Sequence, residues 1–377
     1  RSAGLVRLQQ PDVAPGLFTR EEEQLISGFG SWGSIANLSA GAARIDPTYQ
    51  EGAPPEAQGA EVNMPELEPM RYSASNPKGI RATVYDHTVN VYGIDTATGF
   101  TARPLDNHGV QYGLDVLNRG EITKEQFLAL NGDIGGFDAD LNHVSDRHQA
   151  NPEAARRALG AGRMLNGGGG LASTPIIDYR SYTDDREGGD IHMIVHQFTT
   201  RTRLEKANGH AANHVMAIGG EWGYTEDRPD LGVLFRQMDE WLMSLVEGDE
   251  LGTRAERVVG AKPADLVDQC WDTRGAERVR VQESLSFEGN GTCADLYRPF
   301  STARHVAGAP LTNDIVSCRL KPLDLSDYEV TFTPAEWADL EAIFPEGICD
   351  WTQPDAHGEG YQGTWLSLGP SDVNPAR

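Results

Sequence analysis

Two short apolar runs with a helix between them constrain this chain most. They are 171–179, Leu-Ala-Ser-Thr-Pro-Ile-Ile-Asp-Tyr, and His214–Ile218. Gly167–Gly170 precede the first run and Gly219-Gly220 follow the second. Apolar runs this short, bounded by turn residues, read as buried strands. Residues 199–208 between them read as a helix. Asp230 then caps a long amphipathic helix through Val246, with Leu234, Met238, Trp241, Leu242 and Leu245 at helical spacing to cover a sheet. Strand, helix, strand, helix over 171–247 is the pattern of parallel α/β architecture. It predicts that the two runs are parallel neighbours in a right-handed βαβ unit.

The rest of the chain is punctuated by capping signals. Thr19 with Glu22 forms a capping box that opens a helix ending at Gly28. Residues 40–78 lack periodicity and read as surface loop. Residues 80–93 alternate imperfectly and read as one or two strands. Between 106 and 165 the pattern is helical. One element begins at Gly113–Leu117, one is capped by Thr123 with Gln126, and one spans Glu153–Leu165 behind Pro152. In the tail, Thr333-Pro334-Ala335-Glu336 is a further capping box.

Composition narrows the partners. The formal net charge is −24, with 56 acidic against 32 basic residues, which repels phosphate backbones and anionic lipid. Nucleic acid is therefore not an expected partner. No apolar run reaches the ~18 residues of a membrane span. The start at Arg1, without an initiator Met, reads as a processing or truncation point. Cys270, Cys293, Cys318 and Cys349 form an even, clustered set without a Cys-x-x-Cys pair, which favours two disulfides over zinc. Short loops close at least entropic cost, so the expected pairs are Cys270–Cys293 and Cys318–Cys349. Disulfides persist in oxidising surroundings, so the expected location is secreted, extracellular or periplasmic.

The chemistry-bearing residues gather after the first strand. Asp184 follows it, and the stretch Asp184-Asp185-Arg186-Glu187-Gly188-Gly189-Asp190-Ile191-His192 crowds carboxylates near a histidine. A carboxylate that orients an imidazole is the acid–base half of a serine triad, and the acid belongs at the carboxyl end of such a strand. Asp184 is the candidate acid and His192 the candidate base, with His210, His214 and His305 as alternatives. His192 and His196, four apart, would share a helix face and could ligate a metal. Asp138-Ala139-Asp140 resembles the start of a calcium loop without its later ligands. No Gly-x-Ser-x-Gly elbow is present. Phe29-Gly30-Ser31-Trp32-Gly33 has Phe29 where the first glycine is needed, and it follows a helix rather than a strand. No cofactor motif is present.

Several stretches together resemble the tannase-like family of α/β hydrolases, whose function is mostly unassigned. They are Pro104–Leu114, Ile134–Asp140, Pro175–Tyr182 with Asp190–His192, Cys318–Leu323 and Ile343–Trp351. The resemblance implies an α/β fold whose residues 1–39 and 166–377 form the C-terminal part of an α/β-hydrolase parallel sheet with a disulfide-bearing tail. Residues 40–165 would be a large, mainly helical, lid-like insertion. Members of the family carry the serine elbow in an N-terminal part, so the implied partner is a fragment or subunit supplying the nucleophile, as in a heterodimer. The implied activity is hydrolysis of a carboxylic ester, aromatic or polymeric. Tyr72, Tyr85, Tyr92, Phe100, Tyr112, Tyr179 and Tyr182 are candidates to line its pocket. The rival readings are a non-catalytic secreted binding or structural protein on a hydrolase scaffold, and a metal-dependent hydrolase using His192 and His196.

Overall fold

The computed structural model describes residues 16–35, 75–76, 88–138, 143–220, 230–248, 251–358 and 360–363. In chain order the helices are α1 (Arg20–Ser27), α2 (Val89–Tyr92), α3 (Leu114–Asn118), α4 (Lys124–Asp133), α5 (Pro152–Gly160), α6 (Val195–Asn208), α7 (Asp230–Glu247), α8 (Arg254–Gly260), α9 (Thr292–Leu296), α10 (Ala303–Val306) and α11 (Pro334–Ile343). The strands are β1 (Gly136–Phe137), β2 (His143–Val144), β3 (Ile176–Arg180), β4 (His214–Ile218), β5 (Gln269–Asp272), β6 (Val279–Gln282), β7 (Arg319–Lys321) and β8 (Ile348–Asp350). The fold is mixed α/β and divides into two compact units. One comprises Arg1–Met164, Asp185–Ile191 and Ser301–Arg377; the other comprises Leu165–Asp184 and His192–Phe300.

The second unit holds the main sheet, in the order β3-β4-β5-β6. β3 and β4 run parallel, from Ile176 opposite His214 to Arg180 opposite Ile218, as the βαβ reading predicts. β4 and β5 are also parallel, and β5 and β6 form an antiparallel pair. All five residues of β4 are buried. Helix α7 covers one face. Trp241 is fully buried with Val215, Val258 and Leu266, and its indole N–H donates to the Val258 carbonyl at 2.8 Å. Leu234 packs with Ala217 and Trp271. Leu242 departs from the expectation: it is 44% exposed, so the apolar stripe is narrower than the spacing suggested. The capping role assigned to the Asp230 side chain lies outside the described residues.

Other boundaries also shift. The residues before β3 form a 3₁₀ turn, Gly169–Ser173, so the strand begins only after Pro175. Helix α6 starts at Val195, earlier than the expected 199. Helix α5 stops at Gly160 rather than Leu165, where Gly162 enters the left-handed region at φ 66°. The strands expected over 80–93 are corrected in part. Residues 77–87 lie outside the described residues, and Val89–Tyr92 is a helical turn. It buries Val91 and Tyr92 against Ala154 and Ala158 of α5, so tertiary packing overrides β-branched propensity here.

In the first unit the capping boxes form as read. Thr19 pairs with Glu22, Thr123 with Gln126, and Thr333 with Glu336 behind Pro334. The stretch around Asp106 ties this unit together. The Asp106 carboxylate accepts from the amides of His108 and Ala150 and from the Ser317 hydroxyl. Asn107 donates to the Gly135 carbonyl and accepts from the His148 amide. The Gly109 carbonyl accepts from the Cys349 amide, and Gln111 donates to the Tyr328 hydroxyl. One of the stretches that carry the family resemblance thus holds several parts of this unit together. Both disulfides join the expected partners, Cys270 to Cys293 and Cys318 to Cys349.

Candidate active site

In a parallel sheet, ligand crevices open at the carboxyl ends of the strands. At that end of the main sheet lie the turn after β3 and Gly219 after β4. Asp184, four residues beyond Arg180, is fully buried. Both its carboxylate oxygens accept from the Ile194 amide, at 3.0 and 3.2 Å. Ile194 is the residue immediately before α6. The carboxylate thus satisfies a donor that the first turn leaves over and sits at the positive end of a helix. His192 lies two residues before Ile194 and is exposed.

Because α6 begins only at Val195, His192 precedes the helix and does not share its face with His196. That removes the spacing argument for a metal pair. Among the described residues no group of three His, Cys, Asp or Glu side chains is placed to hold a metal ion. Asp140 of the calcium-like stretch lies outside the described residues.

The alternative bases are placed elsewhere. His214 is buried at the amino end of β4 and His210 lies before that strand, whereas Asp184 follows the carboxyl end of β3. At about 3.3 Å per residue, β4 alone separates the two ends of the sheet by more than 10 Å. His214 belongs to a buried polar chain. Its Nδ1 accepts from Arg201 Nε at 3.3 Å, and its Nε2 faces Asp178 at 3.6 Å, an ion-pair distance rather than a hydrogen bond. Burial pushes the Asp178 carboxyl up, but His214 and the Arg180 charge outweigh it and hold the group below its ordinary value. Arg201 also clasps Asp268 with both terminal nitrogens. His305, in the other unit, has its Nδ1 2.6 Å from the Ser301 hydroxyl.

Ser31 is buried, and its hydroxyl accepts from the Gly33 amide at 3.2 Å, capping the helical residues 32–35. It follows a helix, so the geometry of an elbow is lacking. The acidic loop after Asp184 is anchored rather than merely solvated. The Ser34 hydroxyl donates to the Asp190 carbonyl at 2.7 Å and accepts from the Asp190 amide at 2.9 Å. Gly189, at φ 69°, lies so close to Gly33 and Ser34 that a Cβ would collide with their backbone. The paired glycines at 188–189 were the available sequence signal.

Sequence reading missed the aromatic closure of this edge. Tyr297 donates its hydroxyl to the Trp271 carbonyl on β5 and lies 3.4 Å from the Gly219 carbonyl. The Tyr182 ring centroid is 5.2 Å from that of Tyr297, and the Tyr182 hydroxyl donates to the Arg298 carbonyl at 2.9 Å. Of the other aromatic pocket candidates, Tyr92 and Tyr112 are buried in core positions and Tyr179 packs edge-on against Trp271. Tyr72 and Tyr85 lie outside the described residues.

Residues 8–359 match the Tannase-like family of unknown function (DUF6351). No curated protein and no solved structure matches the chain. A match over most of the 377 residues fixes the kinship: the chain belongs to this tannase-like family of unknown function.

Proposed function

We propose that the chain supplies the acid of a serine-type hydrolase acting on carboxylic esters, with the nucleophile on an N-terminal part or partner chain. The observation that carries the reading is Asp184, a buried carboxylate in the turn after a parallel strand and at the start of a helix. His192, on the same turn, is the proposed base. The tannase-like kinship supports hydrolase chemistry of the esterase type. The absence of a Gly-x-Ser-x-Gly sequence anywhere in the chain directs the nucleophile elsewhere. Among the described residues β3 has β4 on one side and no strand on the other. A cleft of about 480 Å³ runs along it, lined by Ile176, Ile177, Leu231, Phe235 and Met238. Parallel sheets are ordinarily continued and covered on both faces, so this edge suits further strands from the serine-bearing part. In this reading residues 40–165 are a lid-like insertion. Two disulfides, and no described helix long and apolar enough to cross a membrane, are compatible with an exported protein.

The competing reading is a non-catalytic scaffold on which Asp184 serves only as a helix cap, and it rests on the same contact to Ile194. Reconstitution separates the two. The chain alone is expected to leave 4-nitrophenyl esters intact, and the chain mixed with the serine-bearing part is expected to hydrolyse them. Hydrolysis by the chain alone, or by the serine-bearing part alone at the rate of the complex, contradicts the proposal.

A further inference from the structure

The carboxyl edge of the main sheet is held by one short segment that the proposed reaction does not use. Cys293 on α9 is bonded to Cys270 on β5. Glu283 caps the same helix, accepting from the Thr292 and Cys293 amides. Both anchors fix the start of the segment, and its end reaches across the sheet. The Tyr297 hydroxyl donates to the Trp271 carbonyl, beside Cys270. The Tyr297 ring lies on Gly219, which has φ 80° and where a Cβ would run into the ring. The Arg298 carbonyl holds the Tyr182 hydroxyl. Residues 293–298 therefore contact the ends of three adjacent parallel strands: β5 through Cys270 and Trp271, β4 through Gly219, and β3 through Tyr182.

We propose that this segment is a clamp that sets the position of the Asp184 turn, with Tyr297 as its positioning residue. The proposal rests on the reading of Asp184 as the acid. Tyr182 is two residues from Asp184 and has its ring against Tyr297, so the clamp acts on the carboxylate through a contact and a short stretch of backbone. Cross-linking and hydrogen bonding fix the segment before substrate arrives, which is how a site is held in its working geometry without reorganisation.

Three amides report on the clamp. Gly219 donates to the Arg180 carbonyl at 2.9 Å and reads the end of the β3–β4 pair. Ile194 reads the Asp184 carboxylate. Met216, inside β4, serves as the control. Tyr297→Phe keeps the ring and removes the hydroxyl. Tyr182→Leu removes the ring contact. In each variant, amide exchange at Gly219 and Ile194 is expected to quicken about tenfold, the loss of one hydrogen bond or ring contact, while Met216 stays near its wild-type rate. In the reconstituted complex kcat is expected to fall with KM little changed. Unaltered exchange at Ile194, or equal acceleration at Met216, overturns the clamp. So does the exchange signature with kcat intact. If the exchange signature appears but the wild-type complex does not hydrolyse esters, the clamp on the Asp184 turn stands and the esterase reading falls.

Discussion

Asp184→Asn is expected to lower ester turnover by the complex by up to about 10⁴-fold, while the thermal midpoint moves little. The two effects separate because asparagine caps helices about as well as aspartate. Its side-chain oxygen can still accept from the Ile194 amide, so the start of α6 keeps its partner. What disappears is the negative charge that holds an imidazole in the right tautomer and stabilises its protonated form. Asp185→Asn and Asp190→Asn should cost far less, since the Asp190 contacts that pin the loop come from its backbone. His192→Ala then tests the base. A loss as large as that of Asp184→Asn, and not additive with it, assigns His192 to the same unit, because triad members fail together. A small loss moves the base to His305 or to the partner part, since His210 and His214 sit at the far end of the sheet. A variant that loses stability and activity in parallel would mark Asp184 as a cap alone.

The second large effect concerns the core of the first unit. Arg147 is half-buried, and the burial of its guanidinium pushes it down to about 10, still protonated at neutral pH. Its terminal nitrogens donate to the carbonyls of Asn107, Val110 and Asn131 and to the Asn131 side chain. The guanidinium lies 4.8 Å from the Phe344 ring centroid. Arg147→Met keeps the volume and removes the donors of the Val110 and Asn131 carbonyls, while the Asn107 carbonyl and the Asn131 side chain keep the Val110 and Tyr112 amides. The expected loss is about 2–4 kcal/mol, the range for leaving two carbonyls without their donor. Calorimetry should show it as a fall of about 10 °C in the unfolding of this unit. Arg147→Lys should recover little, because one ammonium cannot reach two forks of acceptors. A shift of under about 1 kcal/mol would mean that water replaces the guanidinium and the unit is more open than described.

Local chemistry was legible in the sequence. The Thr19, Thr123 and Thr333 boxes need only residues three apart, and each forms. The β3–α6–β4 unit follows from apolar runs and a right-handed crossover, and both disulfides close local loops. Distant partners were not legible. The start of α6 depends on Asp184, ten residues from the amide it accepts, and the pattern placed that helix four residues late. Residues 88–93 alternate like a strand, but α5 offers alanines that fit a helical turn. Arg147 stands in Ser-Asp-Arg-His, and no local rule says that three carbonyls converge on it. The Tyr297 clamp left only indirect traces, a glycine after β4 and a cysteine four residues before the tyrosine.

The most direct test of the account is where an ester-mimicking phosphonate attaches. A fluorophosphonate reacts fastest with an activated serine, so treating the complex and mapping the labelled peptides locates the nucleophile. The account predicts label on a serine of the partner part, within Gly-x-Ser-x-Gly, and none on this chain. It also predicts that Asp184→Asn slows the labelling. Label on Ser31, Ser301 or any other serine of these 377 residues would contradict it.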